Sequence, residues 1–204
     1  MQLISNLGML LGGAWASGVN LYLTISVLGI ADKLGWITLP GRLDVISHPA
    51  VIAVALLLTA IEFFADKIPL VDSVWDSFHT FIRPVGGGAL AFLATSNLDP
   101  AFQLSAAMLG GTVALDSHLT KATARAAINT SPEPISNSIA SVSEDGLVIG
   151  ALWLIVQHPV VAGILVVLFI IFSIWFLRTM FRFLKKALRF FSGTSGSAGD
   201  PGSQ

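Results

Sequence analysis

Apolar residues fall along this chain in blocks separated by short polar stretches, and the block lengths set the first expectations. The first block runs from Leu3 to about Ala31. As one helix it would be roughly 44 Å long at 1.5 Å per residue, against a hydrocarbon core of about 30 Å. Gly12-Gly13 and the polar Ser17-Gly18-Val19-Asn20 supply a break, because glycine weakens helices and Ser and Asn satisfy freed backbone groups. A re-entrant hairpin or a discontinuous helix is expected there. A polar connection containing Pro40 follows from Asp32 to His48, and Pro49 to Ala65 is an apolar segment long enough to span. Asp66 to Arg83 is amphipathic, Pro84 to Ser96 is short, apolar and Gly-rich, and Ala101 to Leu115 is another short apolar segment. Asn129 to Asn137 reads as a loop with two prolines, after which Asn137 is placed to cap a helix reaching Gln157. Pro159 to Leu177 is the most hydrophobic run and spans.

Beyond it, Arg178, Arg182, Lys185, Lys186 and Arg189 are interleaved with Phe181, Phe183, Leu184, Leu188, Phe190 and Phe191. This is a basic amphipathic extension, suited to the membrane surface. Those five residues are nearly half of the 11 Lys and Arg in the chain, so the positive-inside rule predicts a cytoplasmic C-terminus. Residues 192–204 read as a flexible tail, which leaves 1–191 as a single transmembrane domain. The N-terminal block has no Lys or Arg before it, so it reads as a retained segment rather than a cleavable signal.

The blocks also repeat. Leu11-Gly12-Gly13, Ala16 and Leu21 match Leu109-Gly110-Gly111, Ala114 and Leu119, while His48-Pro49, Val51, Leu58 and Ile61 match His158-Pro159, Val161, Leu168 and Ile171. A broken Gly-Gly segment followed by His-Pro and a full span is the pattern of a duplicated transporter half. It predicts two related halves, 6–84 and 104–178, as inverted repeats with polar residues at their interface.

Composition fixes the class. The chain is 54% hydrophobic and 11% charged, against roughly 25% charged in a soluble domain. That excludes a water-soluble globule. Eleven Lys and Arg against 12 Asp and Glu exclude disorder for most of the chain and leave no basic footprint for nucleic acid. Absence of cysteine removes disulfides, thiolate metal sites and cysteine nucleophiles. The expected fold is all-α, a polytopic integral membrane protein with broken or re-entrant helices, whose first partner is the lipid bilayer.

Against this background each remaining charge carries information. Asp72, Asp76, His79 and Arg83 fall within about 60° of arc at 100° per residue, opposite Val71, Val74, Phe78 and Phe81. Acids early and His/Arg late also suit the helix dipole, so a purely structural interfacial helix competes with a cation or proton site here. Asp72 and Asp76, one turn apart, are the one candidate pair for a metal, and a bound cation is the one cofactor suggested. His118, Lys121, Arg125 and Asn129 share a face with Gly111 and Ala114, beside Asp116. Small residues there let another helix approach closely, and the basic face complements the acidic one. Ion pairs between Asp72/Asp76 and Lys121/Arg125 are expected, with an anion site as the alternative. Ser143-Glu144-Asp145 sits about two turns into an apolar helix, where each charge costs about 3 kcal/mol or more unless paired or wet. Glu62, near the end of its span and followed by Asp66-Lys67, raises the same question. His48 and His158 beside prolines read as caps, and Trp15, Trp36, Trp75, Trp153, Trp175 and Tyr22 as interface anchors or packing. Walker, Rossmann, zincin and nucleophile-elbow patterns are absent.

The strings EFFADKIPLVDSVWDSFHTFIRP (Glu62 to Pro84), GAWASGVNLY (Gly13 to Tyr22) and HLTKATARAAINTSPEPISNSIASVSED (His118 to Asp145) resemble the prokaryotic membrane proteins catalogued as "domain of unknown function 4126". The resemblance covers roughly Gly8 to Phe176. It implies a polytopic protein of a prokaryotic plasma membrane and brings no catalytic roles. From the residues themselves, the leading expectation is a small ion or solute transporter or channel. Its polar core would be Glu62, Asp66, Asp72, Asp76, His79, Arg83, His118, Lys121, Arg125, Glu144 and Asp145. The alternatives are a Mg²⁺-dependent enzyme acting on a phosphorylated lipid through Asp72 and Asp76, and a scaffold acting through the basic C-terminal helix.

Overall fold

The computed structural model describes residues 2–129 and 134–194, without the side chains of 2–5, 134, 184 and 187–194. Among the described residues the chain is all-helical. The order is α1 (Gln2–Val19), α2 (Leu21–Lys33), a 3-10 turn (Leu43–Ser47), α3 (Pro49–Ala65), α4 (Pro69–Ala94), α5 (Pro100–Ile128), α6 (Pro134–Gln157) and α7 (Pro159–Thr194). Two stretches, Ile135–Gln157 and Pro159–Phe183, are long and apolar enough to cross a membrane, and α3 is a shorter apolar helix.

The first block is indeed divided, at one residue. Asn20 adopts extended backbone (φ −149°, ψ 100°), and its side chain accepts the Leu23 N–H at 3.0 Å, capping α2. Gly12 and Gly13, expected to share in the break, lie inside α1. Gly12 instead lets α6 approach, since a Cβ there would run into the Ile155 side chain.

Two expected boundaries vanish. The amphipathic segment and the Gly-rich one after it are a single helix, α4, with Pro84 inside. Pro84 forfeits the hydrogen bond that its N–H would have given the Thr80 carbonyl. Packing outweighs that loss: a Cβ on Gly87 would lie 2.5 Å from the Cβ of Ala114, and one on Gly110 would lie 2.6 Å from that of Ala91. Small residues thus bring α4 and α5 together, as the Gly111/Ala114 face predicted. The Gly110-Gly111 pair serves this crossing and does not interrupt α5.

Helix α6 starts at Pro134, so Asn137 lies within it rather than capping it. Of the expected Asn129 to Asn137 loop, 130–133 fall outside the described residues. Helix α7 carries on through the basic stretch to Thr194, so residues 192–194 of the expected tail are helical and 195–204 lie outside the described residues. His48 does cap α3, its Nδ1 accepting the Ala50 N–H at 3.3 Å. Asp99 does the same for α5, accepting the Ala101 N–H at 2.8 Å. An Asp99→Ala variant should lose about 1 kcal/mol, as other N-cap deletions do. Thermal unfolding in detergent checks this; an unchanged midpoint would mean that packing alone holds the start of α5.

Inside and outside are reversed relative to a water-soluble domain. Phe64, Phe78, Phe81 and Val85 are about two-thirds exposed or more on α3 and α4, and Ile164, Leu168, Ile171 and Trp175 are exposed on α7. The largest fully buried side chains include Arg83, Arg125, His118 and Glu62. A modest apolar core of Ala16, Val19, Val148, Leu152, Ile155 and Ala162 joins α1, α6 and α7.

Candidate functional site

Four segments deliver charge, and a fifth delivers backbone, to one place. The last turns of α3 and the turn after it carry Glu62 and Asp66; the polar face of α4 carries Asp72, Asp76, His79 and Arg83; α5 contributes His118, Lys121 and Arg125; α6 contributes Glu144 and Asp145; and the α1/α2 break contributes backbone. Spacings of three and four residues put the sets of α3, α4 and α5 each on one helical face, whereas Glu144 and Asp145 are adjacent and diverge.

Arg83 organises one end. Its Nη2 lies 2.5 Å from Glu62 Oε1 and 3.9 Å from Asp76 Oδ1, while Nη1 donates to the Gly18 carbonyl at 3.0 Å and to His118 Nδ1 at 2.9 Å. An Nδ1 that accepts from a guanidinium carries no proton. His118 is therefore the neutral Nε2–H tautomer, directed at the Asp76 carbonyl (3.1 Å) and Thr80 Oγ1 (3.0 Å).

Lys121 and Arg125 organise the other end. Lys121 Nζ is 3.4 Å from Glu62 Oε1, Asp66 Oδ2 and Glu144 Oε2, and 3.3 Å from the Val19 carbonyl. Arg125 Nη2 is 3.1 Å from Asp66 Oδ2, and its Nε is 3.4 Å from Asp72 Oδ1 and 3.7 Å from Glu144 Oε1. Its Nη1 donates to the Asn137 carbonyl at 3.0 Å, which is the role that residue takes in place of capping. Gly18 and Val19 offer carbonyls that the break leaves without intrahelical donors, at the negative end of the α1 dipole. Two cations fill them.

The expected pairing of Arg125 with Asp72 is present, whereas Lys121 pairs with Glu62, Asp66 and Glu144 and makes no ion pair with Asp76. All the residues expected in the polar core lie in or beside this network. His79 sits at its edge: Nδ1 is 2.8 Å from the Trp75 carbonyl, Nε2 is 3.1 Å from the Tyr22 hydroxyl, and the ring stacks on Trp75 at 4.6 Å. Tyr22 and Trp75, expected as anchors or packing, thus line the site; Trp36, Trp153 and Trp175 are exposed. Asp145 joins by accepting from Asn20 Nδ2 at 3.0 Å. Asp116 stands apart, accepting from Ser173 of α7 at 2.7 Å.

Sequence reasoning missed Asn20 and Asn137 as network members, although a buried asparagine in an apolar helix is itself a signal. Both are almost fully buried.

Asp72 and Asp76, proposed as a metal pair, already have organic partners: Arg125 and Asn129 (Nδ2 to Oδ2, 2.7 Å) for Asp72, and Arg83 for Asp76. Among the described residues no three His, Asp or Glu side chains are arranged to hold a metal ion. Among the described residues five carboxylates in ion pairs (Glu62, Asp66, Asp72, Asp76, Glu144) face three cations (Arg83, Lys121, Arg125), an excess of two negative charges before Asp145 and Lys67, which lies over the Phe63 ring, are counted. Glu62 Oε2, Asp66 Oδ1 and Asp76 Oδ1 are buried and accept no hydrogen bond. A cavity of about 480 Å³ lies between α1, residues 36–43, the end of α4 and α6, and none of these charged residues lines it.

A family model described as Domain of unknown function (DUF4126) matches residues 7–179. No curated protein and no solved structure matches the chain.

Proposed function

The chain belongs to this family of unknown function, whose description assigns no activity, and we propose from the geometry that it moves a small ion or solute across a membrane. One observation carries the reading: a buried acid–base network built around a helix break. Keeping so many charges out of water is costly for stability alone, and well-packed apolar residues are often as stable. Charges at the ends of a discontinuous helix are also the usual furniture of a transport site.

Polytopic insertion accompanies this proposal. The apolar outer faces of α3, α4 and α7 enclosing a charged interior suit lipid outside and polar groups within. The basic residues Arg178, Arg182, Lys185 and Lys186 near the end of α7 favour a cytoplasmic C-terminus, in keeping with a prokaryotic plasma membrane. The His-Pro starts of α3 and α7 support relating 6–84 to 104–178 as two halves, although among the described residues the break at Asn20 has no counterpart after Gly110-Gly111.

Purified protein in vesicles tests the function. Uptake of radiolabelled Na⁺, Rb⁺, Cl⁻ and phosphate, and of protons by an entrapped dye, should exceed that of protein-free vesicles for at least one species. Asp76→Asn and Glu144→Gln, both nearly isosteric, should remain folded and lose that flux. Uptake at the protein-free level for every species, or full flux in both variants, overturns the proposal.

A further inference from the structure

The cluster's charge balance and the uneven way its acids are held identify what it binds. Among the described residues the five ion-paired acids outnumber the three bases paired with them by two, Asp145 adds a further acid held by the Asn20 amide, and no three acids are arranged around a metal ion. A buried carboxylate without compensation takes up a proton. The acids differ in how well their charge is met. Glu62 has Arg83 at 2.5 Å, Asp66 has Arg125 at 3.1 Å, and Asp72 has the Asn129 amide at 2.7 Å. Among the described residues Asp76 makes one ion pair, with Arg83 at 3.9 Å, the longest nearest contact of the five acids. Among the described residues Glu144 makes ion pairs with Lys121 at 3.4 Å and Arg125 at 3.7 Å. Of these five acids, Asp76 and Glu144 have the longest nearest contacts to a nitrogen donor, 3.9 and 3.4 Å.

They also sit at opposite ends of one chain of contacts. From Glu144 the path runs to Lys121 (3.4 Å), to Glu62 (3.4 Å), to Arg83 (2.5 Å) and to Asp76 (3.9 Å). Glu144 keeps 22% of its side chain exposed, against 7% for Asp76.

We propose that Asp76 and Glu144 are proton-binding sites, each holding one exchangeable proton on a carboxylate oxygen, and that the proton is the ion this protein moves or couples to. The movement follows from the transport reading above, whereas the binding can be tested without it. Each step is simple protonation: a carboxylate gains H⁺ from water and later returns it. Asp76 is faced by Arg83 and Asp72 on its own helix, by His118 and Lys121 of α5, and by Glu62 of α3 and Asp66 in the turn after it; Glu144 is faced by Lys121, Arg125 and Asp66. His118 cannot substitute as carrier while its Nδ1 accepts from Arg83, because a second proton would break that bond. Protonating Asp76 releases Arg83 from one of its two acids, and protonating Glu144 releases Lys121 and Arg125 from one of theirs. Each event loosens the contacts with the α1/α2 break.

Infrared difference spectra of the full chain in vesicles, titrated through neutral pH in H₂O and D₂O, read the protons directly. Two protonated-carboxyl C=O bands are expected, one lost in Asp76→Asn and the other in Glu144→Gln. Asp76→Glu and Glu144→Asp should shift the corresponding band without removing it, which covers a neutral variant that fails to fold. No protonated carboxyl at neutral pH, or bands unchanged in all four variants, overturns the assignment. Bands that behave as expected in vesicles showing no flux uphold these two sites and sink the transport reading. Solute flux without such bands does the reverse.

Discussion

Arg83→Ala should be among the most damaging single substitutions in the chain, lowering stability by about 3–5 kcal/mol, the usual cost of removing one partner from a buried ion pair. Arg83 is fully buried and serves Glu62, Asp76, His118 Nδ1 and the Gly18 carbonyl from one planar group. Its loss strands Glu62, itself 0% exposed, with only Lys121 at 3.4 Å. It also leaves an unpaired carbonyl at the helix break. Arg83→Lys should recover only part of the loss, since one ammonium cannot reproduce the fork that spans Glu62 and His118. The double variant Glu62→Gln/Arg83→Met should recover more, because it removes the stranded charge as well. Unfolding in detergent followed by tryptophan fluorescence checks all three. A loss below about 1 kcal/mol for Arg83→Ala would indicate a solvated pair of the surface kind.

Gly18→Ala is the second large effect. A Cβ there would overlap Ser117 Oγ and the Ala114 carbonyl of α5. Neither is the free end of a flexible chain: Ser117 Oγ is tied to the Trp15 carbonyl at 3.0 Å, and the other atom is backbone. Helices α1 and α5 must separate, at a cost of about 1–3 kcal/mol for overpacking. The displacement has a functional cost besides, because it moves the carbonyl that holds Arg83. Gly146→Ala on α6 is the control: nothing lies within 4 Å of its added Cβ, so stability should rise by up to about 1 kcal/mol from helix propensity. Equal behaviour of the two variants would mean that α1 and α5 are not in close contact at Gly18.

Much of the site was legible because charge is scarce in this chain. With 11% charged residues, the acids of α3 and α4 had few possible partners, and 3.6-residue spacing showed which of them shared a face. Boundaries were harder. Pro84 marks a helix end in sequence, yet α4 passes through it because Gly87 and Gly110 let α5 close over that region. Asn137 has the residue type of a cap, but Arg125 takes its backbone carbonyl inside a helix that began at Pro134. By residue type Tyr22 and Trp75 suit interface anchoring or packing, and only the fold puts both against His79.

The sequence by itself determined the all-helical class, the α1/α2 division near Asn20, the small-residue face of α5 open to a neighbouring helix and the cast of the charged cluster. Each follows from local or compositional rules: block length, polar residues in an apolar run, small residues on one face, and the cost of a lone intramembrane charge. Only the tertiary structure decided who pairs with whom. It gave Arg83 to Glu62, Lys121 to three acids and a carbonyl, and Arg125 to Asp66 and Asp72, and it left Asp76 and Glu144 loosely held. Those choices depend on ångström-scale distances between helices far apart in sequence, which periodicity within a single helix does not encode.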